Sequence, residues 1–256
     1  MTDFDRNATA RWGQSVDRAG QAEIDQGLRT FMLGVYNYMT LGLGITGLAA
    51  LGVYMTATVQ NAAGKVIAFT PFGELLYRSP LKWVVIFAPL AFILFFSFRI
   101  ERMSASSARA MFFAFAAVMG VSLSSALVIF TGASVVRAFF ITAATFGALS
   151  LYGYTTKKDL SAMGSFLIMG LFGLIIASIV NIFLGSSTMQ FVLSILSVGI
   201  FAGLTAWDTQ SIKEMYYESD SVEIGVKKSV NGALMLYLDF INIFQSLLSL
   251  TGSRND

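Results

Sequence analysis

The sequence predicts an all-α membrane protein with seven transmembrane helices, and three observations carry that prediction. First, 55% of its 256 residues are hydrophobic and only 12% are charged, where a soluble domain carries roughly a quarter charged residues. A chain so poor in charge cannot cover a water-facing surface. Second, apolar runs of the length a bilayer requires, ~20 residues each, recur along the chain between charged or turn-rich breaks. Third, runs such as TLGLGITGLAALGVYM and FLIMGLFGLIIASIV do not alternate, as the strands of a membrane β-barrel would. In lipid the backbone must satisfy its own hydrogen bonds, so such runs form helices.

Residues 1–29 are polar, carry both signs of charge and lack a signal-peptide apolar core; they read as a cytoplasmic N-terminal tail. The seven-helix domain follows over residues 30–250. Span 1 is expected at Thr30–Met55, span 2 at Lys82–Phe98, span 3 at Ala110–Phe130 and span 4 at Ser134–Thr156. Span 5 is expected at Leu160–Leu184, span 6 at Thr188–Trp207 and span 7 at Val230–Leu250, leaving 251–256 as a short C-terminal tail. Two divisions rest on uncharged turns alone, Thr131-Gly132 and Gly185-Ser186-Ser187.

With seven spans and the N-terminus inside, twelve of the seventeen Lys and Arg residues fall on the inner side. That bias predicts a cytoplasmic N-terminus and a periplasmic C-terminus. Glycines at helix-packing spacing, Gly199 with Gly203, Gly170 with Gly173, and Gly42, Gly44, Gly47 and Gly52, are candidates for close helix contact.

Composition also excludes chemistry. There is no cysteine and no histidine, so disulfides, thiolate nucleophiles, zinc sites and Ser–His catalysis are absent. No glycine adjoins either Asp208 or Asp239, as a GxGD-type aspartyl protease stretch would have, and span 7 has no lysine for a retinal. No enzyme and no cofactor are expected. A net charge of +2 points to no nucleic-acid partner; the bilayer is the expected one.

Four ionisable residues lie within or at the edge of spans: Arg99, Arg137, Asp208 and Asp239. Such groups are expensive in a membrane and mark function by default. Arg137, three residues into span 4, can snorkel outward. Arg99 ends span 2; it is either an interfacial positive-inside residue or one that turns inward to a carboxylate. Asp208 ends span 6 and has an interfacial reading of its own. Asp239 lies nine residues into span 7, roughly 13 Å deep at the helical rise. Asn242, Ser246 and Ser249 follow on its face, so span 7 is expected to be a polar-striped helix inside a bundle or along a watery path. If Asp208 and Asp239 meet, they titrate as a pair and can offer oxygens to calcium or another hard cation.

These residues carry a family resemblance. YLDFINIF (Tyr237–Phe244), WDTQSI (Trp207–Ile212) and FFITAATFGALSLYGYTTKKDL (Phe139–Leu160) resemble characteristic stretches of the Bax inhibitor-1, or transmembrane Bax inhibitor motif, family in its bacterial branch, and the likeness covers about residues 25–250. The resemblance implies a central seventh helix wrapped by the other six. It implies a pH-sensitive calcium leak channel of the bacterial inner membrane, with Asp208 and Asp239 as its sensing pair. Through FFSFR it implies Arg99 as a latch on that pair. The sequence departs from the pattern in two places: a span-two glutamate has no counterpart between Lys82 and Arg99, and the linker SIKEMYYESDSVEIGVKKS between the aspartates is long. Some proteobacterial relatives are instead associated with a membrane-bound AAA protease, so a non-conducting regulator of such a protease, acting through the tail 1–29, is the alternative expectation.

Overall fold

A computed structural model describes residues 3–61 and 65–255, without the side chains of residues 3–25, Ser97 and Glu101. The chain is helical almost throughout. Helix α1 (Asp3–Ala57) contains the first apolar span, Gln26–Ala57. The backbone of the expected polar tail is therefore helical from Asp3 and continuous with span 1, while most of the tail's side chains lie outside the described residues. A short antiparallel hairpin follows, β1 (Thr58–Gln60) against β2 (Val66–Phe69), and then α2 (Pro71–Tyr77) and α3 (Leu81–Arg99). Thr70 caps α2 by accepting the Gly73 N–H at 3.2 Å, and Pro80 precedes α3.

The remaining helices are α4 (Ala105–Ile129), α5 (Gly132–Thr155), α6 (Ser161–Leu184), α7 (Ser187–Glu214) and α8 (Val222–Thr251). Both uncharged turns divide helices as expected. Thr131 caps α5 by accepting from Ser134 N–H; Gly185 ends α6 at φ +61°, a left-handed position suited to glycine, and Ser186 caps α7. Ser104 and Ser221 cap α4 and α8 in the same way.

Among the described residues, six helices are long and apolar enough to cross a membrane, and α2 with α3 gives a seventh only if that pair, bent by 62°, is one broken span. The expected span 2 is thus the second half of a bent unit. Its first half, PFGELLY, is short and carries Glu74, which hid it from a search for long apolar runs.

The last helix is central, with 61% of its most apolar window buried against 6% for α6. It packs mainly against α1, α4, α5 and α7, while α3 leans on α4 and α6 on α7 as outer helices. The core runs along this axis: Tyr237 and Leu236 are fully buried, with Phe112 and Phe115 set edge-on to the Tyr237 ring at 5.8 and 5.7 Å. The described part of the tail, residues 251–255, is tied down rather than loose. Ser253 carbonyl accepts the Thr131 N–H at 2.9 Å, Ser253 N–H donates to Ser134 Oγ at 2.9 Å, and Asn255 N–H donates to Ile129 O at 2.9 Å, so the chain end clamps the α4–α5 turn.

Candidate functional site

Two close backbone approaches set the helices that carry the aspartates. Gly153 of α5 lies so near Ala206 of α7 that a Cβ there would sit 2.1 Å from the Ala206 carbonyl oxygen, and Gly232 of α8 would bring a Cβ to 2.9 Å from Ile212 Cγ2. The helix-packing glycines inferred from spacing only partly make such contacts. Gly42 abuts Phe112 and Gly203 abuts Leu167, but Gly44, Gly47, Gly52, Gly173 and Gly199 face open space.

Helices α7 and α8 then run antiparallel, and their polar residues meet across the seam. Asp208 and Asp239 are both buried, 8% and 3% exposed, and their carboxyls lie close enough to interact with each other. Two neighbouring carboxyls can hydrogen-bond each other only when one of them carries a proton. Further along the seam Ser246 Oγ donates to Ser197 Oγ at 2.7 Å, and Ser194 Oγ donates to Ser249 Oγ at 3.3 Å. Between the carboxyl pair and these serines stands an apolar cluster of Phe201, Leu204 and Ile243. The polar stripe expected on span 7 is therefore matched by one on α7. Asn242 is half-buried, and its Nδ2 donates to Leu238 O of its own helix at 2.8 Å.

Asp239 Oδ2 is buried and has no hydrogen-bond partner. No Lys or Arg forms an ion pair with either aspartate among the described residues. Arg99, the latch candidate, is exposed at the end of α3 with its guanidinium 5.5 Å from the Phe95 ring centroid. The structure brings the two aspartates together and leaves Arg99 apart from them.

Calcium takes six to eight oxygens, and no third carboxylate joins the pair among the described residues.

The network around the pair was not legible in the sequence. Thr209, next to Asp208, hydrogen-bonds Ser150 Oγ of α5 at 3.0 Å, and Ser150 in turn meets Tyr36 OH of α1 at 2.6 Å. On α8, Tyr237 OH meets Thr46 Oγ1 of α1 at 2.6 Å, while Thr46 also donates to the Ala116 carbonyl of α4 at 2.9 Å. Gln210 is buried and holds the α5–α6 loop, accepting the Leu160 N–H at 2.8 Å and donating to Lys158 O at 2.9 Å. Isolated hydroxyls and one amide in apolar runs were the only signals, and such residues commonly bond within their own helix.

Comparison with known proteins bears on the same helices. The family model described as inhibitor of apoptosis-promoting Bax1 matches residues 28–256. An uncharacterised protein of Rickettsia prowazekii (strain Madrid E) is 45% identical over 233 residues, covering 91% of this chain and 93% of its own. The inner membrane protein YbhL of Escherichia coli (strain K12) is 39% identical over 231 residues, covering 89% and 93%. An uncharacterised membrane protein of Streptococcus pyogenes serotype M3 is 33% identical over 244 residues, covering 94% and 99%. With a match over nearly the whole helical domain, the chain belongs to the Bax inhibitor-1 family of integral, multi-pass membrane proteins.

Proposed function

We propose that the protein is a non-enzymatic cation leak pathway of the bacterial inner membrane, with calcium as the permeant ion and the Asp208–Asp239 pair as the element that responds to pH. The observation carrying this reading is the pair itself: two buried carboxyls in contact, one oxygen unpartnered and no cation beside them among the described residues. Two like charges in contact cannot both persist cheaply, so the proton between them decides whether α7 and α8 stay together. The E. coli relative's printed name supports the inner membrane. The distribution of Lys and Arg supports a cytoplasmic N-terminus and periplasmic C-terminus, provided α2 and α3 count as one span.

The test is calcium flux from vesicles containing the purified protein, followed across pH. The expected result is flux above empty vesicles that varies with pH, and loss of that variation in Asp208→Asn/Asp239→Asn. Flux equal to empty vesicles, or a pH profile unchanged in the double variant, would sink the reading. The protease-regulator alternative rests on the tail 1–29, most of whose side chains lie outside the described residues.

A further inference from the structure

Helices α1 and α5 scarcely pack against each other. A crevice separates them, bridged by the Tyr36–Ser150 hydrogen bond. At one end it widens into a cavity of about 600 Å³, with Arg29, Leu33 and Tyr36 on the α1 side and Gly147, Leu151 and Tyr154 on the α5 side. Further along lies a second cavity of about 300 Å³, walled by α1 and α5 at residues such as Gly47, Leu51 and Phe140 and backed by α4 and α8. Arg29 in the first cavity and Leu51 in the second are about 33 Å apart along α1 at the helical rise, close to the ~30 Å of bilayer hydrocarbon.

We propose that this crevice binds one anionic glycerophospholipid, with its phosphate at Arg29 and an acyl chain lying between α1 and α5. Three observations support it, none of which depends on ion conduction. The mouth is cationic. Arg29 is exposed and has no ion pair or hydrogen bond among the described residues, and Lys213 sits at the same end with Nζ donating to Tyr154 O at 3.1 Å. No acidic side chain lines the cavity among the described residues. The walls are apolar and open sideways, where lipid lies: Leu33 is 52% exposed and Leu151 63%. The space beside both cavities is also empty of protein: a Cβ at Gly147 or at Gly47 would meet nothing within 4 Å.

The test places the full-length protein in bilayer nanodiscs of equal phosphatidylglycerol and phosphatidylcholine, then releases it and counts retained lipid by native mass spectrometry. The wild type is expected to retain one phosphatidylglycerol, preferred about fivefold, the factor expected of one cationic side chain near an anionic lipid surface. Arg29→Gln is expected to bring the preference close to one. Gly147→Leu fills the crevice and is expected to abolish retention, whereas Gly173→Leu, on α6 and equally free of neighbours, is expected to leave it intact. Equal retention of both lipids by the wild type overturns the proposal, as does undiminished retention in Gly147→Leu. If Gly147→Leu does not fold, the Arg29→Gln result decides alone: a preference unchanged from wild type overturns it.

Discussion

Replacing Gly153 with alanine tests whether the α5–α7 contact positions the site. The added Cβ would lie 2.1 Å from the Ala206 carbonyl oxygen, so the helices must part by about 1 Å to restore ordinary contact. Ser150 lies on the same face one turn away, and its bond to Thr209 is 3.0 Å long. Adding about 1 Å carries that bond out of reach. Its loss costs about 1 kcal/mol and overpacking a close contact costs about 1–3 kcal/mol, together roughly 2–4 kcal/mol. At about 2–4 °C per kcal/mol for a chain of this size, the melting temperature should fall by roughly 5–15 °C. The assay is thermal unfolding of purified protein in detergent followed by intrinsic tryptophan fluorescence. Gly199→Ala is the control, because its Cβ meets nothing within 4 Å. Alanine favours a helix interior over glycine by about 1 kcal/mol, so the control should hold or gain stability. If Gly153→Ala melts with Gly199→Ala, the close approach is not what holds α5 to α7.

Two further outcomes are expected. Tyr237→Phe removes the hydroxyl that meets Thr46 Oγ1 but leaves Thr46 its bonds to Gly42 and Ala116 carbonyls; a loss of about 1 kcal/mol in detergent unfolding is expected, and no change would mean the bond is idle. Asp159 lies in the α5–α6 loop, where the Ser161 hydroxyl and then its N–H, 2.8 Å from Oδ1, hold its carboxyl below the ordinary 3.8. A carboxyl lowered in the folded state stabilises above its unfolded value and loses that contribution as pH falls through the folded one. Cooling of the melting temperature between about pH 5 and pH 3 should therefore be smaller in Asp159→Asn than in wild type; an identical pH response would refute the assignment.

Much of the fold was legible because membrane helices advertise themselves by length and apolarity. Spans 1 and 3–7 all correspond to helices, and even the uncharged breaks at Thr131 and Gly185 hold, because a Thr cap and a left-handed glycine end helices without charge. What was hidden depends on three-dimensional register. That Asp239 would be buried followed from its depth in span 7. That it meets Asp208 depends on how α7 and α8 slide past each other, which the linker between them does not dictate. Gly199 and Gly203 match a packing motif, yet Gly199 faces open space while Gly153 and Gly120, neither paired with a glycine at that spacing, touch neighbouring backbone. Spacing marks where a helix can be approached; it does not say from which side a neighbour comes. Arg99 shows the same limit, since its position at the end of α3 is legible but the direction of its side chain, over Phe95, is not.

The Phe201–Leu204–Ile243 cluster has a consequence for water. Carboxyls at one end of the α7–α8 seam and hydroxyls at the other would make a wettable track if they were contiguous, but Ile243 is fully buried between them and Phe201 and Leu204 nearly so. A stretch lined only by hydrocarbon sheds water even where it is wide enough to admit it, and a dry stretch stops hydrated ions. The seam as described is therefore dry between its two polar ends, and a change of charge at Asp208 or Asp239 would wet it only by also parting α7 and α8 at this cluster.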